Sequence, residues 1–338
     1  MSGALIVHKA GPAMSLQDLG RPGLLSRGLS RGGAADRLAL AEGAALLGQG
    51  SECAALEMAG MGGVFEATQS LRIALTGAPM RATLDAAPLV WGASHGLRAG
   101  MRLEIGPVLA GIYGYLQVGG GFAASEVLGA RGAHLSAGIG RVLAAGDRLA
   151  VGADAGGETG LALPQDDRFS GGTLRALHGP QTAMFSSDEV ARFQSTRFAR
   201  DARGNRMGVR LIPDGAGFHS RAGLSILSDI VVPGDIQITG DGAPMVLLSE
   251  CQTTGGYPRI GTVLPCDLPR AAQAPAGAAL TIRFVDRAEA LAAERATANA
   301  VRALSGRLTR LVRDPRDMRD LLAYQLISGV TAGKTEGG

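Results

Sequence analysis

The stretch Leu97-Arg-Ala-Gly-Met-Arg-Leu-Glu-Ile105 places a turn glycine before residues that alternate between polar and apolar side chains. A glycine followed by alternating apolar residues recurs at 143–151 and at 274–282. Alternation with a period of two is typical of a β-strand that buries one face. The repeated pattern therefore predicts a fold of short strands that begin at tight glycine turns.

The composition of the whole chain supports a mainly β fold with minor α content. Glycine accounts for 52 of the 338 residues, and a glycine in a helix interior costs about 1 kcal/mol, which argues against a helical bundle. Hydrophobic residues make up 46% and charged residues 19% of the chain, so it can bury a core and is not a disordered protein. The glycines follow no three-residue period, which excludes a collagen-like protein.

The length suggests two domains, and a glycine-rich polar stretch at 154–173 is the predicted boundary between them. We predict a first domain at 1–154, a second at 173–286, and a helical tail at 287–338 whose last residues are disordered. In the tail, Leu304, Leu308 and Leu311 are predicted to share one face of a helix, and Asp314-Pro315 should interrupt it before a second helix at 317–327. Elsewhere we predict helices at 36–47 and 187–196, and strands at 71–75, 113–118, 223–227, 236–239, 244–248 and 279–284.

Several function classes lack their sequence signatures. Gly333-Lys334-Thr335 ends like a P-loop, but Ser328 stands where the first glycine is required. The histidines form no HExxH pattern, so no metal site is predicted. The net charge is only +3, and the arginines of the tail have no interleaved aromatic residues, which argues against nucleic-acid binding.

Membrane insertion and secretion are also disfavoured. Residues 105–125 lack charge but contain six glycines and Pro107, which favours buried strands over a membrane helix. The start of the chain has no basic region followed by an apolar run, so no signal peptide is expected. The cysteines Cys53, Cys251 and Cys266 have no CxxC spacing, which argues against a disulfide framework and favours a reducing cytoplasm.

Two segments combine polar side chains with glycines that allow a ligand to approach the backbone. The first contains Gln17, Asp18 and Arg21 and continues to Asp36; its alternative interpretation is a surface loop that leads into a helix. The second is Glu250-Cys-Gln-Thr-Thr-Gly-Gly-Tyr-Pro258, which supplies uncharged donors and acceptors and suits a small carboxylate, amide or phosphate; its alternative is a polar hairpin turn. Upstream, Asn205-Arg206 offers a guanidinium fork for an anion.

These segments, in this order, resemble the allophanate hydrolase subunit 2 family, also called the biotin-dependent carboxyltransferase family. The resemblance extends from about Leu5 to Val285. The motifs that carry it are Gln17-Asp-Leu-Gly-Arg21, Ala54-Ala-Leu-Glu57, Leu75-Thr-Gly-Ala78, Tyr115-Leu-Gln-Val-Gly-Gly120, Arg206-Met-Gly208, Gly234-Asp-Ile-Gln237 and, most specifically, Gln252-Thr-Thr-Gly-Gly-Tyr-Pro258 with downstream Asp267.

The resemblance implies two cyclophilin-like β-barrel domains and a role within a complex. It implies a component of an ATP-dependent 5-oxoprolinase that acts with a subunit-1-like partner (similar to the 5-oxoprolinase B subunit) and with a lactam-opening subunit. The substrate would be a small carboxylate or amide, and ATP with Mg would be bound by the complex.

Two alternatives to this role stay open. One is a carboxyltransferase component of a urea or amide carboxylase, and the other is a non-catalytic regulator of a kinase-inhibitor-like partner. The chain's two lysines, Lys9 and Lys334, lie outside a Met-Lys-Met context, so biotin would have to be carried by another protein.

The resemblance also suggests candidate roles for matching positions. Arg206 or Arg21 would hold a carboxylate or phosphate, and Asp18 or Glu250 would act as a general base. Oxyanion charge would be stabilised by Thr253 and Thr254. The full candidate set is catalytic Asp18, Arg206, Glu250, Gln252, Thr253 and Thr254, and substrate-binding Gln17, Arg21, Asp36, Asn205, Gln237, Gly255, Gly256, Tyr257, Pro258 and Asp267.

The chain departs from the family pattern at a few of these positions. Gly204-Asn205 stands where Ser-Asp is common, Gly32 stands where the family has serine, and Glu250 stands where it has aspartate. Loss of hydroxyl and carboxylate groups would alter the substrate or reduce the activity.

Overall fold

The computed structural model describes residues 3–221, 223 and 226–312. The first half of the chain contains helix α1 (Arg37–Leu47) and two antiparallel sheets. Their strand orders are β11-β1-β4-β9-β6-β7 and β2-β3-β10-β5-β8-β12-β22. The strands are β1 (Ala4–Lys9), β2 (Ser15–Gln17), β3 (Ala55–Ala59), β4 (Val64–Ala67), β5 (Leu71–Gly77), β6 (Met80–Leu84), β7 (Ala87–Pro88), β8 (Ala93–Leu97), β9 (Arg102–Val108), β10 (Tyr113–Val118), β11 (Arg148–Ala150), β12 (Leu161–Ala162) and, from the end of the described chain, β22 (Thr309–Arg310).

A core lies between these two sheets. The first sheet contributes the fully buried side chains of Leu5, Phe65 and Leu103, and the second contributes Ile73 and Leu116. The hydrophobic effect of this burial is the main force that holds the sheets face to face.

The second half is a closed barrel with the strand order β13-β20-β17-β18-β15-β14-β21. β21 closes the barrel as the parallel neighbour of β13, and the other barrel neighbours are antiparallel. The predicted mainly β class is therefore confirmed. The elements are β13 (Gly172–Leu177), α2 (Ser187–Ser195), β14 (Phe198–Arg200), β15 (Gly208–Pro213), β16 (Asp229–Ile230), β17 (Asp235–Ile238), β18 (Pro244–Leu247), β19 (Thr254–Gly255), β20 (Arg259–Val263), α3 (Leu268–Gln273), β21 (Ala279–Phe284) and the following helix α4 (Arg287–Arg302).

The repeated turn-and-strand pattern is confirmed at every copy. Gly100, Gly146 and Gly277 adopt φ values of +78°, +94° and +79°, in the left-handed region that favours glycine. Each is followed by a strand, which is β9, β11 or β21 respectively. In β9, Leu103 and Ile105 are buried and the intervening glutamate is exposed, as the alternation predicts.

The helices predicted at 36–47 and 187–196 form, and capping chemistry sets where they begin. Asp36 caps α1, because its side chain accepts a hydrogen bond from the Ala39 amide at 3.2 Å. Ser186 caps α2 in the same way through the Glu189 amide. The strand predicted at 223–227 is wrong for the part the structure describes, since residues 223, 226 and 227 lie outside any strand.

The boundary segment at 154–173 packs against the first half and is not a free linker between the halves. Ala162 of β12 pairs with Ala93 of β8. Arg168 is buried and forms ion pairs with Asp36 and Glu42 of the α1 region. The connection between the halves is therefore held by backbone pairing and by a buried guanidinium.

The continuous helix predicted for residues 287 to about 313 is wrong beyond Arg302. The chain leaves α4 there, makes a 3-10 turn at Leu304–Arg307, and pairs β22 with β12. Gly306 disfavours helix, and the exposed edge of β12 offers hydrogen bonds that a local pattern cannot reveal. Leu304 packs against Leu46 and Leu47 of α1. The break at Asp314-Pro315, the helix predicted at 317–327, the disordered end and Lys334 lie outside the described residues.

Candidate functional site

A buried ion cluster lies where the two halves meet; we call Glu57, Arg206 and Glu250 the junction cluster. Arg206 Nε donates to Glu250 Oε1 at 2.6 Å, and Arg206 Nη1 forms an ion pair with Glu57 Oε1. Arg206 Nη2 donates to the Gly33 carbonyl at 2.6 Å. Glu57 belongs to β3 of the first half, so this guanidinium joins one half to the other.

Local turn chemistry places Arg206 in this position. It lies in the loop between β14 and β15, where the Asp201 carboxylate accepts a hydrogen bond from the Arg203 amide at 2.9 Å. Asn205 Oδ1 accepts from the Met207 amide at 2.8 Å. Asp and Asn side chains that bond two residues ahead are typical of tight turns, and the turn aims Arg206 at the first half.

Electrostatics in the junction cluster favour the charged forms of Arg206 and Glu250. Burial opposes the charge of Arg206, but Glu57 and Glu250 outweigh burial and raise the pKa of Arg206 above its ordinary value. Burial likewise acts to raise the pKa of Glu250, but the Arg206 charge and hydrogen bonds outweigh it and lower that pKa below its ordinary value. A carboxylate with a lowered pKa is a weak base. The charged groups of the junction cluster are therefore suited to fixing the positions of the segments that they join.

The junction cluster continues into a chain of hydrogen bonds across the molecule. Tyr115 donates to Glu57 Oε2 at 2.6 Å and accepts from the Asp36 amide at 2.9 Å. Asp36 Oδ2 in turn accepts from Arg168 Nε at 2.7 Å and from Gln273 Nε2 at 2.9 Å. Asp36 thus connects the first half, the boundary segment and the second half.

A second branch runs from Glu250 to a histidine that the sequence analysis did not select. The Ser136 amide donates to Glu250 Oε2 at 3.1 Å, and Ser136 Oγ lies 3.2 Å from His134 Nδ1. His134 Nε2 lies 2.9 Å from Ser30 Oγ. Burial lowers the pKa of His134. Ser30 and His134 are far apart in the chain, so no spacing rule could have paired them.

Beside Arg206, a cleft of about 430 Å³ lies between the halves; we call it the interdomain cleft. The first half contributes Ile112 and Tyr113, and the second contributes Arg200, Asn205 and Arg206. Burial raises the pKa of Tyr113 to about 12, with the Glu57 charge adding to the rise. The cleft brings Asn205 and Arg206 together and adds Tyr113 and Arg200, which the sequence analysis missed.

The Gln252–Pro258 motif connects β18 to β20 at one end of the closed barrel, just after Glu250, and we call it the barrel edge. Gln252 Nε2 lies 3.3 Å from Gln237 Oε1, and β19 pairs with β16. A Cβ at Gly255 would lie 2.4 Å from Gln237 Nε2, so a larger residue there would displace that side-chain amide. Neither Gly255 nor Gly256 adopts the positive φ that a glycine permits. Tyr257 is exposed, and the Pro258 carbonyl accepts from the Ile238 amide.

The first polar segment, which contains Gln17, Asp18 and Arg21, contacts the loop at 127–132. The Asp18 carboxylate accepts hydrogen bonds from the amides of Gly20, Arg131 and Gly132 at 2.8, 2.6 and 3.0 Å. Arg21 is buried and donates to the carbonyl oxygens of residues 127, 130 and 132. Gln17 Nε2 donates to a serine in its own strand, β2. These contacts hold the loop at 127–132 against the chain that leads to α1.

Asp267 lies apart from the interdomain cleft. Its carboxylate accepts from the Arg175 amide at 2.8 Å and from that guanidinium at 2.9 and 2.6 Å. It lines a separate cavity of about 260 Å³ together with Glu42 and Arg168. In this cavity, burial raises the pKa of Glu42 to about 7 against the opposing charge of Arg168.

Among the described residues, no group of three or more His, Cys, Asp or Glu side chains is arranged to hold a metal ion. Within the same part of the chain, the helices are too short or too polar to cross a bilayer.

Comparisons with known sequences point to one family. A family model described as carboxyltransferase domain, subdomain A and B, matches residues 27–286. The chain is 33% identical to the 5-oxoprolinase C subunit of Haemophilus influenzae, over 82% of this chain and 89% of that protein. It is 33% identical to the 5-oxoprolinase C subunit of Escherichia coli, over 81% of this chain and 88% of that protein. A putative urea carboxylase of Emericella nidulans is 28% identical over 86% of this chain, which is 25% of that protein.

Two solved structures have a similar fold. The crystal structure of TTHA0988 matches with a TM-score of 0.76 and 32% identity, over 83% of this chain and 56% of that one. The chain therefore spans slightly more than half the length of that protein. The urea carboxylase of Kluyveromyces lactis matches with a TM-score of 0.79 and 22% identity, over 92% of this chain and 31% of that one, which is a likeness of fold alone.

Proposed function

Because the chain belongs to the family of carboxyltransferase domains with subdomains A and B, we propose that it is a component of an ATP-dependent 5-oxoprolinase. The family membership confirms the resemblance carried by the sequence motifs. The observation that carries the proposal is the 33% identity to two 5-oxoprolinase C subunits, each matched over nearly its whole length. The proposed overall reaction converts 5-oxoproline, ATP and water into glutamate, ADP and phosphate.

A lactam resists hydrolysis, so its carbonyl carbon must first be activated. In the proposed reaction the lactam oxygen attacks the terminal phosphorus of ATP and ADP leaves. One water then adds to the lactam carbonyl carbon, the ring C–N bond breaks as the nitrogen takes up a proton, and a second water cleaves the resulting acyl phosphate into glutamate and phosphate. Negative charge develops on oxygen during these steps, and preorganised uncharged donors stabilise such charge.

The proposed donors are those of the barrel edge. Gln252, Thr253 and Thr254 supply side-chain groups, and the backbone amides of Gly255 and Gly256 add to them. The buried Gln237 Nε2 has no hydrogen-bond partner among the described atoms and lies against Gly255. An unpaired buried amide is costly, which supports the proposal that a ligand oxygen binds there.

The junction cluster is proposed to position this edge. All three nitrogens of Arg206 already donate to Glu57, Glu250 and Gly33. Glu250 is two residues before Gln252, so its contact with Arg206 fixes the start of the motif. Asp18 accepts three backbone amides, which supports the same kind of positioning role for that carboxylate.

ATP and the partners belong to the complex in this proposal. The residues that line the interdomain cleft include no carboxylate, whereas protein sites for Mg²⁺ use carboxylates beside the phosphates. The cleft does not fit Mg-ATP, and in this proposal ATP is bound elsewhere in the complex. The two curated relatives are named as subunits, which supports a role within a complex. All three cysteines are free thiols, which supports a cytoplasmic location.

The test is ADP formation by the chain purified together with its subunit-1-like and lactam-opening partners. The proposal predicts ADP release that depends on 5-oxoproline and stops when this chain is omitted. Absence of such release from a complex that assembles correctly would rule the proposal out.

A carboxyltransferase role is the second candidate, because the family description and the putative urea carboxylase match both name that chemistry. Biotin would then come from a carrier protein. Activity that requires a biotinylated carrier and is insensitive to 5-oxoproline would favour this candidate. If neither activity appears but the chain still binds a partner, a regulatory role is favoured.

A further inference from the structure

Arg200 is a largely buried arginine that forms no salt bridge within the described ranges 3–221, 223 and 226–312. It ends β14, and the residue is only 6% exposed. Its Nε is shielded from solvent and has no hydrogen-bond partner among the described atoms. Burial lowers the pKa of Arg200. A buried guanidinium that remains unpaired is costly, and an anion that entered beside it would remove much of that cost.

Gly204 provides the space for this arrangement. A Cβ at position 204 would lie 2.4 Å from Arg200 Nη2 and 2.9 Å from Cζ. Gly204 does not adopt a positive φ, so an alanine would fit the backbone and the conflict would be with the guanidinium alone. The glycine therefore lets Arg200 lie flat against the loop backbone, on the wall of the interdomain cleft.

The rest of the cleft complements a small carboxylic acid. Tyr113 lies close enough to influence the pKa of Arg200, and its side chain lines the same space. Asn205 uses its Oδ1 for the Met207 amide, which leaves the Nδ2 donor for a ligand. Ala59 and Ile112 supply apolar walls, and no Asp or Glu is among the lining residues. Donors, one cation without a salt bridge (Arg200) beside the fully paired Arg206, and apolar walls together suit an anion with a compact apolar body.

We infer that Arg200 binds the carboxylate of the substrate in the interdomain cleft, and that Gly204 makes this binding geometry possible. Identification of that substrate as 5-oxoproline rests on the proposed function. 5-Oxoproline has one carboxylate on a five-membered lactam ring, so its carboxylate would face Arg200 and its lactam would face Asn205.

The test is isothermal calorimetry on the complex of the full chain with its partners, using 5-oxoproline and cyclopentanecarboxylate, which keeps the carboxylate and lacks the lactam. Arg200→Gln should weaken binding of both probes about ten- to a hundredfold, because a charge-assisted hydrogen bond is lost. Gly204→Ala keeps the charge and should weaken both probes by displacing it. Arg203→Gln is the matched control, since that arginine is exposed on the same loop, and it should leave both affinities unchanged.

The outcomes separate this inference from the proposed function. Unchanged affinities in Arg200→Gln and Gly204→Ala, in proteins with wild-type melting temperatures, overturn the inference even if the complex hydrolyses 5-oxoproline. Arg200-dependent binding of cyclopentanecarboxylate by a complex that does not hydrolyse 5-oxoproline supports the carboxylate site and rules out the proposed substrate. If Arg200→Gln melts at a lower temperature, Arg200→Lys keeps the positive charge and should restore part of the affinity.

Discussion

Arg206 and Arg200 line the same cleft and are both buried, but their surroundings differ. Arg206 directs its donors at two carboxylates and a carbonyl oxygen, whereas Arg200 has no partner among the described residues. The first arrangement locks two halves of a protein together, and the second keeps a charge available for a ligand. Burial alone therefore does not reveal the role of a charged residue. Its ion-pair and hydrogen-bond partners distinguish a structural role from a binding role.

The largest expected effect is on the paired arginine. Arg206→Met leaves Glu57 and Glu250 buried without their cation and should lower the free energy of unfolding by about 3–5 kcal/mol. Chemical denaturation measures this loss, with Arg203→Met as the exposed control. A loss within the error of the control would show that the junction cluster does not hold the halves together.

The next effect concerns the hydroxyl that extends the junction cluster. Tyr115→Phe removes the hydrogen bond to Glu57 and leaves the Asp36 amide without its acceptor, so the free energy of unfolding should fall by about 1–3 kcal/mol. The matched control is Tyr257→Phe, because Tyr257 is exposed. Equal free energies of unfolding for the two variants would show that the Tyr115 hydroxyl does not stabilise the fold.

The unpaired arginine should behave in the opposite way. Arg200→Met removes a buried charge that forms no salt bridge among the described residues, so the free energy of unfolding should stay within about 0.5 kcal/mol of the wild-type value or rise above it. Thermal and chemical denaturation measure this difference. If Arg200→Met lowered the free energy of unfolding as much as Arg206→Met does, Arg200 would have a structural role and would not differ from Arg206 in this respect.

The smallest effect is the pH dependence that Glu250 contributes. Its folded-state pKa is lowered below the ordinary value of 4.5, so its stabilising contribution is present above about pH 4.5 and is lost as the pH falls below it. Glu250→Gln should therefore lower stability at neutral pH and flatten the decline of stability in acid. Denaturation midpoints between about pH 3 and pH 7 test this, and parallel curves for the two proteins would contradict it.

Local features of the fold could be predicted from the sequence because their causes are local. The turn glycines at 100, 146 and 277 and the Asp36 cap each depend on a few neighbouring residues. The helix predicted past Arg302 failed because the edge of β12, far back in the chain, pairs with residues 309–310. Pattern reasoning describes what a segment favours alone and misses such partners.

The candidate site was predictable in part for the same reason. The motifs marked Arg206, Glu250 and Gln252, which lie together near the junction of the halves. They could not mark Arg200, whose significance depends on the absence of a partner among the described residues and on space left by Gly204. Nor could they pair Ser30 with His134, or separate Asp267 from the cleft, because those facts belong to tertiary packing.

The most direct test of the account is the KM for 5-oxoproline of the reconstituted complex, measured by ADP release with wild-type chain, Arg200→Gln and Arg203→Gln. We expect a KM at least about tenfold higher for Arg200→Gln and an unchanged KM for Arg203→Gln. No ADP release that depends on 5-oxoproline, or the same KM in all three proteins, would contradict the account.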